Sequence, residues 1–355
     1  MSRSRREVLK SLAIASLSVP VLSCMGRNTV PEDTTLFAAN IIHPPRLKPG
    51  DTVGLICPAG AAFSKETVQI CVESLEALGL KVKLGKHVYD RFGYLAGTDQ
   101  ARADDVNAMF ADQTVQAILA VHGGWGCARI LPMLNYKTIQ QNPKPLIGYS
   151  DITALLLAIH AKTGLVTFHS MVGAATWNTF SVGYFKQVLM QAAPVTFENP
   201  KEKGDNLTVT KDRTTTITPG QARGKLLGGN LTVLTTIIGS QYLPDWKNSI
   251  LFLEDTNENI YRIDRMLTQL KLAGVLDQVK GVVFGKCSEC EPGKGGYGSL
   301  TLEEVLEQHF KPLGVPAYSG AMIGHITHKF TVPVGAEAEI DATAGTFRLL
   351  KPAVQ

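Results

Sequence analysis

Short apolar runs alternate with segments of helical periodicity through the first half of the chain, and that alternation restricts the fold more than any other feature of the sequence. Residues 52–57 form a continuous apolar run ending in Pro58-Ala59-Gly60, the pattern of a buried strand closed by a turn. Ser64 then predicts a helix cap, with Val68, Val72, Leu75 and Leu78 recurring at helical spacing to about residue 78. Further strands are expected at 81–84, 117–121 and 145–147, separated by helices near 100–110 and 128–134. Strands and helices in this order predict a mostly parallel sheet covered on both faces. Ligand sites of such a sheet lie beyond the carboxyl ends of its strands.

The character of the chain changes between residues 194 and 221. Residues 198–204 are charged and turn-rich and 208–218 are rich in threonine, which marks a linker or crossover. Beyond it follow an apolar strand at 250–253, an amphipathic helix at 260–273, a strand at 281–284, a helix at 302–313, and closing strands near 336–341 and 346–350. With 355 residues and 45% hydrophobic content the chain is long enough for two cores. The expected organisation is an export signal at 1–23, a lead-in at 24–44, an amino-terminal domain at 45–195, a linker at 196–220 and a second α/β domain at 221–355.

Arg5-Arg6 ahead of the apolar stretch 12–22 match a twin-arginine export signal, and Ser23-Cys24 reads as a lipidation site. That stretch is too short to span a bilayer. Cleavage before Cys24 removes Arg3, Arg5, Arg6 and Lys10 against Glu7, so the formal charge falls from +4 by 3 to +1 and the basic balance belongs to the signal. The expected location is the cell envelope, with membrane attachment through a Cys24 lipid, or the cytoplasm if the signal goes unused. No cluster of Lys and Arg with interleaved aromatics occurs in the body, so nucleic acid is not expected as a partner. Cys57, Cys71, Cys127, Cys287 and Cys290 remain, an odd set that makes a poor disulfide framework. Cys287-Ser288-Glu289-Cys290 lacks the second pair of ligands a zinc site needs, and a loop dithiol or a local disulfide both stay open. No metal and no cofactor is expected.

Gly148-Tyr149-Ser150-Asp151 lies between an apolar strand-like run and a helix-like segment at 152–162. A tight turn there lifts a hydroxyl out of the sheet and aims the first amides of the helix at the same point, which makes Ser150 a candidate nucleophile. Ser-Asp before a helix is also an ordinary N-cap. His122-Gly123-Gly124-Trp125-Gly126 follows another strand, and its glycines let backbone N–H groups approach a ligand. It lacks the Lys-Ser/Thr ending and the spacing of a phosphate cradle. A serine nucleophile needs a base, and the base needs an acid that fixes its tautomer. His325, preceded by Gly324 in a loop, is the candidate base and His328 its competitor; His43, His160 and His309 lie in the lead-in or on helices, and His122 and His169 are expected on loops that could line the same cleft. Glu254 ends an apolar strand, with Asp255 facing the other way. Paired carboxylates also serve glycosidases, but the aromatic sugar platform is missing here.

Several blocks then occur in one order: Gly123-Gly124-Trp125-Gly126; Leu146-Ile147-Gly148-Tyr149-Ser150-Asp151-Ile152-Thr153; Gly228-Gly229-Asn230-Leu231; Leu253-Glu254-Asp255 with Tyr261-Arg262-Ile263-Asp264-Arg265-Met266-Leu267; and Gly324-His325 with Val332-Pro333-Val334-Gly335. Together they resemble the LD-carboxypeptidase family of serine peptidases, over nearly everything from residue 45 to residue 350. The resemblance implies an amidotransferase-like (flavodoxin-like) parallel-sheet domain followed by a smaller carboxy-terminal α/β domain, usually as a homodimer. It implies Ser150 as nucleophile, Glu254 as acid and His325 as base, with the N–H groups of Gly124 and Asp151 as oxyanion hole and His122, Gly123, Trp125 and Asn230 toward the substrate. The implied reaction releases the terminal D-alanine of a murein tetrapeptide, cutting between an L-centre and a D-residue. His122 and Trp125 stand where the family commonly has Arg and Tyr, so recognition of a substrate carboxylate is expected to differ. Two other readings stay open: a hydrolase of a peptidyl-nucleotide antibiotic that uses Trp177 or Trp246 as a platform for the base, and a lipid-anchored module that holds peptidoglycan peptides without cutting them. Cys127 and Cys57 do not occupy the elbow and read as buried thiols.

Overall fold

The first apolar run forms β1 (Thr52–Ile56), buried along nearly its whole length, and the Ser64 hydroxyl accepts from the Glu66 amide to start α1 (Lys65–Ala77). The computed structural model describes residues 40–293 and 298–355; the expected export signal and Cys24 lie outside the described residues. In chain order there follow β2 (Lys81–Leu84), α2 (Asp99–Ala111), β3 (Ala117–Ala120), α3 (Cys127–Ile130), α4 (Tyr136–Gln141), β4 (Leu146–Gly148), α5 (Thr153–Thr163), β5 (Thr167–His169) and α6 (Thr179–Phe185). β1 to β5 pair in parallel, as the alternation predicts.

The second half supplies β6 (Thr196–Phe197), β7 (Thr215–Thr218), β8 (Gln221–Asn230), α7 (Leu231–Thr236), β9 (Ser249–Thr256), α8 (Ile260–Leu272), β10 (Gly281–Ser288), α9 (Leu302–Phe310), β11 (Ala317–Ser319), β12 (Val332–Val334), β13 (Glu337–Asp341) and β14 (Thr346–Leu349). Two sheets result, in the orders β12-β5-β4-β3-β1-β2 and β6-β14-β13-β8-β9-β10-β11-β7. The centre of the second sheet is parallel and its flanks are antiparallel. The 196–220 stretch, expected as a linker, adds two edge strands to this sheet, because its β-branched run Thr215–Thr218 pairs with β11 and Thr196–Phe197 with β14. β12, expected within the second domain, pairs antiparallel with β5 of the first sheet.

α5 is buried on nearly every side and packs against both β5 and β8, so it lies where the two sheets meet. Its apolar sequence, Thr-Ala-Leu-Leu-Leu-Ala-Ile, suits a helix with no solvent face. At its start the Thr153 hydroxyl accepts from the Asn230 amide at 3.0 Å, which ties the beginning of α5 to the end of β8. Asn230 is the register partner of Glu254 on β9. Three chain segments, those of Thr153, Asn230 and Glu254, are thereby fixed at one point.

Candidate active site

Ser150 follows β4 in a short 3-10 turn, with its backbone in the left-handed region at φ 64°. A serine there is strained, and such strain is held where the surrounding structure dictates it. The consequence is an outward hydroxyl beside the first amides of a helix, where N–H groups have no intrahelical partner. Gly123 lies directly against the elbow: a Cβ on it would sit 2.8 Å from Ser150 Cβ and 3.4 Å from the Asp151 nitrogen, so only glycine lets the loop approach.

His325 lies on the connection between β11 and β12. The chain leaves β11 in the second sheet, runs through 320–331 and enters β12 in the first, so this loop bridges the carboxyl ends of both sheets. The Ser288 hydroxyl donates to the His325 carbonyl at 3.0 Å and steadies the backbone. His325 Nε2 lies 2.9 Å from Ser150 Oγ, and its Nδ1 lies 2.8 Å from Glu254 Oε2. Gly324, at φ 138°, holds a conformation that side chains rarely adopt, and a Cβ there would crowd the Glu254 carboxylate at 3.3 Å. Glu254 is fully buried. Burial alone would raise its carboxyl, but the hydrogen bond from His325 outweighs it and holds the carboxyl below the ordinary carboxylate value. A carboxylate on Nδ1 leaves Nε2 free to accept the serine proton.

A pocket of about 400 Å³ opens over Ser150, lined by His325, Tyr149 and the glycine loop, with Phe63, Tyr94 and Trp125 at its edge. Trp125 is 65% exposed and meets Tyr94 edge-on, with ring centroids 5.6 Å apart. His122 lines the same pocket, yet both ring nitrogens face backbone carbonyls, Nδ1 at 2.8 Å from Gly123 O and Nε2 at 3.1 Å from Ala61 O. Its ring braces the loop instead of reaching for a substrate carboxylate. Asn230, expected toward the substrate, is not in the pocket wall: its Oδ1 accepts from the Val233 amide to cap α7, and its Nδ2 donates to Asp255. Trp246 is buried, and Trp177 turns its ring against Phe185, so neither lines the pocket. His328 is exposed and packs on Phe180.

Lys329 is a residue that the sequence does not single out, and His169, expected on a loop that could line the cleft, instead ends β5 and is absent from the pocket wall. Lys329 Nζ lies 4.2 Å from the centre of the Tyr149 ring, and burial pushes its ammonium down to about 8. The His169 ring is buried without a protein hydrogen bond, and burial pushes it down to about 4. No local pattern marks Lys329, because the β5–β12 pairing is what brings its segment beside His169. Cys287 and Cys290 form a disulfide, which leaves Cys57, Cys71 and Cys127 as buried thiols among the described residues. Burial pushes Cys57 up to about 12 and Cys127 well above the ordinary thiol range, an environment that suppresses thiolate. Among the described residues no group of three His, Cys, Asp or Glu side chains is placed to hold a metal ion.

An elbow serine at the carboxyl ends of a parallel sheet, facing a histidine on a buried carboxylate from the second sheet, is the constellation of a serine hydrolase on a two-domain fold of mixed α and β elements. The LD-carboxypeptidase N-terminal domain family matches residues 53–170 and the LD-carboxypeptidase C-terminal domain family matches residues 223–340. The chain belongs to this family of peptidases. It is 39% identical to the probable murein peptide carboxypeptidase of Bacillus subtilis over 88% of this chain and 95% of that protein. It is 32% identical to the microcin C7 self-immunity protein MccF of Escherichia coli, over 82% of this chain and 91% of that one. A structure of MccF in complex with glutamyl sulfamoyl guanosine superposes with a TM-score of 0.80 at 28% identity, covering 88% of this chain and 99% of that chain. The muramoyltetrapeptide carboxypeptidase from Oxalobacter formigenes gives a TM-score of 0.72 at 25% identity, covering 84% and 97%.

Proposed function

We propose that this protein is a serine LD-carboxypeptidase that releases the terminal D-alanine of murein tetrapeptides. The observation that carries the reading is the unbroken hydrogen-bonded line from Ser150 through His325 to the buried Glu254. His325 Nε2 takes the Ser150 proton as Oγ attacks the carbonyl carbon between the L-centre and D-alanine. The N–H groups of Gly124 and Asp151 receive the oxygen that becomes negative. His325 then gives its proton to the departing D-alanine nitrogen, an acyl ester remains on Ser150, and a water deprotonated by the same ring hydrolyses it. Mass spectrometry of murein tetrapeptide after incubation with the full chain tests this directly. Release of D-alanine by wild type and none by Ser150→Ala is expected; equal release by both removes Ser150 from the reaction.

A second reading, hydrolysis of a peptidyl-nucleotide antibiotic, draws on the similarity to MccF and on the exposed rings of Phe63, Tyr94 and Trp125 at the pocket edge. These rings replace Trp177 and Trp246 as the platform that such a substrate requires. Comparing turnover of murein tetrapeptide with that of an aminoacyl-adenylate analogue separates the two substrates. The arginine pair and Ser23-Cys24 support export to the cell envelope with a lipid on Cys24, which the mass of the amino-terminal peptide from a membrane fraction tests. Light scattering on the purified chain tests the homodimer.

A further inference from the structure

Arg102 is among the largest fully buried side chains of the protein and lies outside the pocket. A guanidinium removed from water must be matched by good partners. Its partners here are specific to two loops: Nη1 donates to Pro58 O at 2.6 Å and to Gly126 O at 2.9 Å. Nη2 pairs with Asp99, which also accepts a fork of hydrogen bonds from Arg129 on the helix after the glycine loop. Pro58 and Gly126 each lie two residues from Gly60 and Gly124, which pack against each other, and the Gly60 amide donates to Gly123 O at 3.1 Å. Gly126 itself takes φ 101°, and a Cβ there would stand 3.0 Å from Arg102 Nη1, so the close approach of the guanidinium needs a glycine.

The peptide unit joining Gly126 to Cys127 is held at both ends. Arg102 takes its oxygen, and the Asp151 carboxylate accepts from its nitrogen at 2.8 Å. Asp151 also contributes the second amide proposed for the oxyanion. One charged side chain therefore sets the glycine loop from beneath while another couples that loop to the Ser150 elbow.

We propose that Arg102 is the positioning residue of the oxyanion site: without touching substrate, it fixes where the Gly124 N–H points. This rests on the serine-peptidase reading and adds to it a residue that lies outside the pocket wall. A displaced oxyanion donor removes an interaction made chiefly in the transition state, worth about 10²–10³ in kcat. Substrate binding, carried by the pocket walls, should barely change.

The experiment compares full-length wild type, Arg102→Met and Arg102→Lys, reading kcat and KM for D-alanine release and, separately, the rate at which a fluorophosphonate labels Ser150. Arg102→Met is expected to lose about 100-fold in kcat with KM within about threefold, and to lose labelling rate in parallel. Arg102→Lys keeps the charge and the packing but cannot span two carbonyls and a carboxylate, so it should fall between the two. Arg102→Lys also decides the matter if Arg102→Met does not fold. Wild-type kcat and labelling rate in a folded Arg102→Lys overturn the proposal, as does a loss confined to KM. If wild type labels but releases no D-alanine, the substrate assignment fails while the labelling ratios still judge Arg102. If wild type neither labels nor cleaves, the serine-peptidase reading fails and this inference with it.

Discussion

Replacing Glu254 with Gln removes one charge and almost no volume from a fully buried position, 2.8 Å from His325 Nδ1. As the ring takes the Ser150 proton the carboxylate comes to face a developing imidazolium, so its charge acts mainly on the barrier. At an effective dielectric constant of about 20, two unit charges at this distance attract by about 6 kcal/mol. Each 1.4 kcal/mol is a factor of about ten in rate, so kcat should fall by about four orders of magnitude. The charge is present to be lost, because the partnership with His325 keeps the Glu254 carboxyl below its ordinary value despite burial. The assay is D-alanine release from murein tetrapeptide by full-length wild type and Glu254→Gln, with kcat and KM resolved and unfolding midpoints measured alongside. KM should move little, since Glu254 does not line the pocket. A folded Glu254→Gln chain with kcat within tenfold of wild type would refute the electrostatic role assigned to this residue.

Three other outcomes follow from the geometry. Ser150 holds φ 64°, so Ser150→Gly should be inactive yet more stable than Ser150→Ala by about 1 kcal/mol in denaturant unfolding, and equal stability would show that the elbow stores no strain. Gly324→Ala puts a Cβ 3.3 Å from Glu254 Oε2 at φ 138°, so it should lose at least about tenfold in kcat and about 1–3 kcal/mol in stability; a silent substitution would mean that His325 is not confined by this turn. Burial depresses His160 and His169 from 6.5 to about 4, so the unfolded chain binds protons that the folded one refuses. The stability they contribute is complete above pH 6.5 and is lost as pH falls toward 4, by up to about 3 kcal/mol each. Unfolding free energies at pH 7, 5.5 and 4 should therefore fall with acid, less steeply in His160→Phe, and a profile unchanged by that substitution would remove His160 as a cause.

What the sequence reveals and what it conceals divide along the range of the interactions involved. β1, α1, β3 and β4 are legible because each is a local pattern: an unbroken apolar run, a cap, a turn. The elbow at Ser150 is legible for the same reason, since strand, turn and helix are contiguous. The partners of an edge strand are not, and so Val332–Val334 gives no sign that it crosses to β5, nor Thr215–Thr218 that it pairs with β11. Asn230 enters the expected site only through the resemblance carried by Gly228-Gly229-Asn230-Leu231; in the structure its side chain caps α7 and holds Asp255, while its backbone N–H ties β8 to Thr153. That hydrogen bond decides more about the site than a contact with substrate would. It sets the start of α5, and with it Ser150, against the strand end that pairs with Glu254, leaving the β11–β12 crossing to deliver His325 between them. Convergence of three distant residues is here a product of sheet register, which is why a one-residue slip of β8 on β9 would separate the acid from the nucleophile while leaving every local element intact.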